Sequence, residues 1–164
     1  MPFANLQSVV ASDINNCWRG VYKDNTNHAT SGTGEDDLAS TTLTGNTLGS
    51  TGSLRILAAG TISGTNDQKD IDLYFGATVI ATIVRNAAGT QDWIFDAIIT
   101  NTATNAQRIQ LLKSTDSATT VSADYTTAAI DTTANVTVKV TGECVNAGDT
   151  VTQTRFELYT VAIA

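Results

Sequence analysis

The chain is short of the side chains on which most catalysis depends. It has one histidine, one methionine, one proline and two cysteines in 164 residues. With His28 as the only histidine, any Ser–His–Asp or Cys–His arrangement must use it. It stands in a polar stretch between Asn27 and Ala29, a poor place for a preorganised base, so a solvated loop side chain is expected. One histidine and two distant cysteines give no chelating spacing for zinc. Cys17 and Cys144 are too few for a disulfide framework. They read either as one bond between chain ends that lie close together or as two free thiols.

Charge is also scarce. Charged residues make up 15% of the chain, below the roughly 25% usual in soluble domains. Such a surface must be covered by Thr, Ser, Asn and Gly, or by another subunit. Nine Lys and Arg against sixteen Asp and Glu leave a net charge of −7. That balance argues against a nucleic-acid partner, which needs clustered cations, and against attraction to an anionic membrane. No apolar run approaches the length of a membrane-spanning helix. The opening Met1-Pro2-Phe3-Ala4-Asn5 lacks the basic and apolar regions of a signal peptide.

What the chain does have is threonine, its commonest residue, with Val, Ile and Ala filling much of the rest. β-Branched residues suit a pleated, half-buried surface. Eight strands are expected, at Ser53–Ile62, Lys69–Phe75, Ala77–Arg85, Asp92–Asn101, Ala106–Ser114, Thr119–Tyr125, Ala134–Thr141 and Val151–Ile163. Turn signals such as Gly64-Thr65-Asn66-Asp67 and Asn146-Ala147-Gly148-Asp149 separate them. Strands at this spacing, with no long amphipathic helix between them, indicate a sandwich or barrel.

Residues 1–32 read differently. Leu6, Val9, Val10 and Ile14 suit one short helix, and Trp18 to Tyr22 a short strand, followed by the polar run from Asp24 to Gly32. This segment is expected to be an arm and linker, with the domain proper at 33–164. Some strands of the body are apolar on both faces. Val79, Ala81 and Ile83 oppose Ile80 and Val84, while Phe156 and Leu158 oppose Tyr159, Val161 and Ile163. Trp93, Phe95, Ala97 and Ile99 likewise oppose Ile94 and Ile98. A strand apolar on both faces must be covered on both, so the arm or another subunit is expected to lie over the second face.

The run Thr33-Gly34-Glu35-Asp36-Asp37-Leu38-Ala39-Ser40, with Thr42 to Leu48 and Leu54-Arg55-Ile56-Leu57-Ala58-Ala59-Gly60-Thr61, resembles the opening of trimeric jelly-roll domains of bacteriophage virions. Asp72-Leu73-Tyr74-Phe75-Gly76-Ala77, where Phe-Gly turns into the next strand, and Gln91-Asp92-Trp93 fit the same pattern. These domains are similar to the tumour-necrosis-factor-like jelly roll, with one sheet of each protomer packed about a threefold axis. The resemblance covers Thr33 to Ile163. It implies an all-β, single eight-stranded antiparallel jelly-roll sandwich with a short N-terminal arm, assembled as a homotrimer. It further implies a head decoration (cement) protein that binds the major capsid protein on the virion exterior. A head- or tail-fibre tip that binds a host receptor or glycan is the alternative.

Candidate sites are few. Trp18 and Tyr22 in the arm are expected as interface anchors, since buried aromatics dominate interface energy; Tyr159, Val161 and Ile163 are candidates for the protomer contact. Trp93, beside Phe95 and Ala97, reads as core. Glu35-Asp36-Asp37 and Asp67, Asp70 and Asp72 are acidic clusters without the Asp-x-Asp-x-Asp-Gly calcium loop. Solvated turns are preferred there, although related trimers hold cations near the axis. The Gly-rich runs Gly32-Thr33-Gly34 and Gly49-Ser50-Thr51-Gly52 lack the Lys of a phosphate loop. Asn135-Val136-Thr137 fits the glycosylation formula, at a strand start. No cofactor, no metal and no enzymatic activity are expected. A glycosidase would need two well-placed acids, and Asp96 and Asp124 are the carboxylates to test.

Overall fold

Alternation of apolar and polar residues decides the architecture. In Ser53–Ser63 every second residue, from Leu54 through Ile56, Ala58 and Gly60 to Ile62, points inward and is buried. A side-chain period of two is the signature of a strand with one covered face. The computed structural model describes residues 17–115 and 121–161, and all its strand pairings are antiparallel. The strands are β1 (Arg19–Asp24), β2 (His28–Ala29), β3 (Asp36–Leu43), β4 (Ser53–Ser63), β5 (Gln68–Phe75) and β6 (Thr78–Asn86). They continue with β7 (Gln91–Ala103), β8 (Ala106–Thr115), β9 (Val121–Ala128), β10 (Val136–Cys144) and β11 (Thr150–Val161).

Two sheets form the sandwich. The large one runs β1-β11-β4-β7-β8-β9, with β2 also paired to β11; the small one runs β3-β10-β5-β6. With β2 and the β8–β9 hairpin set aside, β1-β11-β4-β7 faces β3-β10-β5-β6. The chain crosses between sheets at each connection except the β5–β6 hairpin, which is the jelly-roll path. All eight expected strands are present. They are not the eight of the jelly roll, however. β8 and β9 are an added hairpin that widens the large sheet, and β1 and β3 supply the two missing strands.

The expected arm needs the same correction. Arg19–Asp24 and His28–Ala29 pair with β11, and Tyr22 sets its ring edge-on to Phe156 at 5.8 Å between centroids. This stretch is therefore the edge of the large sheet. The part of the arm before Cys17, with its expected helix, lies outside the described residues.

Between the sheets Trp93, Phe95, Ile56, Phe75, Val138, Phe156 and their neighbours form one continuous apolar core. Burial of this kind is the main favourable term in folding, about 25 cal/mol per Å² of apolar surface. A bulge between Leu73 and Tyr74 of β5 and the facing β6 pairs Leu73 with Ala81 but Tyr74 with Val79. Ile80 is thereby turned inward beside Ala81 and Ile83, and Val79 and Val84 are left exposed. The expected two-sided apolarity of this strand is mostly an effect of that bulge.

Polar groups close the two ends of the sandwich. At one end Lys69, fully buried, donates to the carbonyls of Thr65, Asp67 and Ala87 and pairs with Asp149. At the other, Asn101 donates to Gly49 O and to Thr132 Oγ1. Gln107 donates to Asn101 Oδ1 and to Ile130 O, and accepts from Ile130 N–H. Buried polar groups are tolerated only when satisfied, and among the described residues no buried side-chain polar atom lacks a partner.

Candidate interface on the large sheet

The outer face of the large sheet is laid out by register. Cross-strand neighbours share a face, so the pairings define rows. One row runs Tyr159, Arg55, Ile98, Gln110, Tyr125 from β11 to β9. The next runs Glu157, Leu57, Asp96, Leu112, Ala123, and a third Val161, Ser53, Thr100, Arg108, Thr127. Apolar and charged residues thus mix on a face that none of the described residues covers.

The charges on this face are mostly neutralised by one another. Arg55 grips Asp96 with both ends of its guanidinium, Nε to Oδ1 at 2.9 Å and Nη2 to Oδ2 at 2.7 Å. Such planar bidentate pairs are the strong ones, and this one raises the Arg55 pKa. Glu157, only 3% exposed, accepts from Arg155 at 2.7 Å and from the Tyr159 hydroxyl, with Lys23 3.4 Å away. The Arg155 and Tyr159 hydrogen bonds hold its carboxyl down at about 2. Around these pairs Ile94, Leu112 and Tyr125 are exposed to 41%, 47% and 63%. Ile98, Leu112, Ala123 and Tyr125, with Asp96, Gln110 and Asp124, line a shallow depression of about 430 Å³.

The small sheet presents the opposite character. Glu35, Asp37, Asp70, Asp72 and Glu143 belong to its outer side, where Lys139 pairs with Asp37 and Glu35 accepts from Tyr74. The two acidic clusters of the sequence thus contribute to one surface, with Asp67 apart at the loop end, where Asn146 and Thr65 donate to it. Burial, then the Glu35 and Asp70 charges, push the Asp72 carboxyl up, against a hydrogen bond from Thr82. The Tyr74 hydroxyl donates to Glu35 at 2.8 Å. That bond raises its pKa to about 12. Among the described residues no group of His, Cys, Asp and Glu is placed to hold a metal.

The other candidates fall as follows. Tyr159 and Val161 stand on the outer face of the large sheet, partly exposed, and Ile163 lies outside the described residues. Trp18 is exposed just ahead of β1. Tyr22, read as an anchor for a partner, is spent on this chain's own core. Trp93 is core, with its indole N–H donating to Thr61 O. His28 lies at the exposed edge, 3.1 Å from Asp24. Cys144 is buried beside the Thr30 hydroxyl, Cys17 is exposed, and no disulfide joins them. Asp96 and Asp124 are engaged by Arg55 and Lys113. Arg55, Glu157, Leu112 and Tyr125 escaped the sequence reading as a set, because only strand register brings them together.

No family model matches the sequence, and no curated protein sequence matches it. Among solved structures the chain is similar to the CBM2 module of Lactobacillus casei BL23 phage J-1 evolved Dit, at 8% identity and a TM-score of 0.41, over 76% of this chain and 69% of that one. At that score the likeness is too loose to bear on the site or the function.

Proposed function

We propose that the protein is a structural subunit of a bacteriophage virion, a homotrimeric decoration protein seated on the capsid exterior. The observation that carries this reading is the strand order. β1-β11-β4-β7 against β3-β10-β5-β6 is the jelly roll that the sequence resemblance implied. In that family one sheet of each protomer packs about a threefold axis, and the large sheet of this chain offers a broad face with internally paired charges for such a contact. A trimer placed across a junction between capsid subunits adds buried area there and opposes the outward pressure of the packaged genome. The chemistry asked of the protein is binding, not turnover.

The test is to add purified protein to particles that lack it. Electron cryo-microscopy should show threefold density on the lattice, and the particles should withstand more heat. Deleting residues 1–16, which spares β1, asks whether attachment lies in the arm; unchanged occupancy moves it to the jelly-roll loops. No binding and no change in particle stability would end the decoration reading. The exposed Tyr125 beside Gln110 favours a second reading, a fibre tip that takes a host glycan, because sugars stack on aromatic rings and bond to amides. Binding on a glycan array, lost in Tyr125→Ala, would establish it.

A further inference from the structure

We infer that the β8–β9 hairpin is part of the protomer–protomer contact: its outer surface, centred on Leu112 and Tyr125, receives a second copy of this chain. This rests on the self-association reading and extends it to an element outside the eight jelly-roll strands. Three observations select that occupant.

The first is charge. The chain carries −7 overall, so two copies repel unless they meet where that charge is absent. The outer face of the small sheet, with Asp37, Asp70, Asp72 and Glu143 against Lys139 as the facing cation, concentrates it. On the outer face of the large sheet Lys23, Arg55, Arg108 and Arg155 offset Asp92, Asp96 and Glu157. Like charges brought together at an interface cost several kcal/mol by rough reckoning; a balanced face avoids the cost.

The second is that the central charges are already satisfied. A charge buried without a partner is strongly destabilising. Arg55 with Asp96, and Glu157 with Arg155 and Tyr159, can lose water without losing their bonds. The exposed apolar residues Ile94, Leu112 and Tyr125 then supply the gain, and a tyrosine is among the side chains that anchor interfaces.

The third is continuity. The row from Tyr159 to Tyr125 crosses four strand spacings without a break, roughly 19 Å at about 4.8 Å per strand. A contact begun at Tyr159 therefore continues onto the hairpin in one surface. Strand addition along the neighbouring β6 edge is disfavoured. Lys113, paired with Asp124 at 2.9 Å, donates to Thr82 O of the edge strand β6 at 3.2 Å, the kind of charged guard that discourages strand addition.

Light scattering at micromolar concentration on wild type and on Tyr125→Asp, Leu112→Asp and Tyr159→Asp tests the inference. Wild type should show three times 17.2 kDa, and all three variants should dissociate at protein concentrations at least tenfold higher than wild type does. Hydrogen exchange on wild type gives a second measurement, independent of any variant: amides of β8 and β9 should exchange more slowly in the assembled than in the diluted protein. A trimer that survives Tyr125→Asp and Leu112→Asp but falls apart in Tyr159→Asp overturns the hairpin contact and leaves self-association standing. Equal exchange in the hairpin at both concentrations overturns it too. A monomeric wild type overturns both readings.

Discussion

Lys69 and Asp149 form an ion pair 2.7 Å long with both side chains closed to solvent. Asp149 also accepts from the Thr65 amide and hydroxyl, and the ammonium takes three loop carbonyls besides. One pair thus ties together the β4–β5, β6–β7 and β10–β11 loops. Gly64 makes room for it: its φ is 126°, and a Cβ there would stand 2.1 Å from Asp149 Oδ1.

Lys69→Met should therefore destabilise far more than its apolar character suggests, because it strands the carboxylate and three carbonyls. A loss in Tm on the order of 10 °C is expected. Adding Asp149→Leu should recover part of the loss. Differential scanning calorimetry of the single and double variants reads both, and an additive double variant would deny the coupling.

At the other end, Gln107→Leu removes the amide that bridges Asn101 and Ile130. The variant leaves buried polar groups unpaired, at a cost of roughly 3 kcal/mol. Urea unfolding should show a lower midpoint with an unchanged slope. Unchanged stability would mean that water enters and replaces the amide.

The two sheet faces should respond to acid in opposite senses. Arg155 and Tyr159 hold the folded Glu157 pKa at about 2, so its contribution is present above the unfolded value near 4.5 and is lost as pH falls toward 2. Asp72 has a raised folded pKa, so its ionised form opposes folding at neutral pH, and the penalty lifts as pH drops through that folded value. Asp72→Asn should accordingly raise Tm by a few degrees at pH 7 and lose that advantage below about pH 4. Glu157→Gln should do the reverse, lowering Tm at pH 7 and converging with wild type in acid. Melting curves across pH for both variants check the signs.

Gly60 offers a packing test. A Cβ at that position would stand 1.8 Å from Thr152 O and 2.8 Å from the Trp93 ring. Gly60→Ala should force β4 away from β11 and unsettle the indole, so a loss of several degrees in Tm and an altered tryptophan emission are expected. Wild-type behaviour would show that β11 can yield at this point.

Strands were legible where alternation was unbroken. Leu54 to Ile62 and Val136, Val138 and Val140 read correctly because one face is apolar and each second residue belongs to it. β3 was hidden. Its pairing with β10 shifts between Val140 and Thr141, so Leu38 and Ala39 are both buried and the period of two is broken at that point. β1 is visible as a short strand but not as part of the sheet, since a partner 139 residues away, as Gly20 has in Tyr159, leaves no mark on local composition. The same limit applies to the candidate interface. Tyr159 and Val161 are legible as candidates from the strand they occupy. The row partners of Tyr159, namely Arg55, Gln110 and Tyr125, depend on four pairings that no single segment encodes.

The place of β11 in the large sheet, between β1 and β4, governs how the chain is made. β11 is made after every other described strand, and the sheet cannot close without it. Until it arrives, Leu54, Ile56 and Ala58 have an unpaired edge, and Tyr22 has no Phe156 to meet. Non-local closure of this kind folds slowly and keeps apolar surface open meanwhile. Synthesis interrupted before Thr150 should yield chains that chaperones and proteases remove, so that only copies carrying β11 are available for assembly.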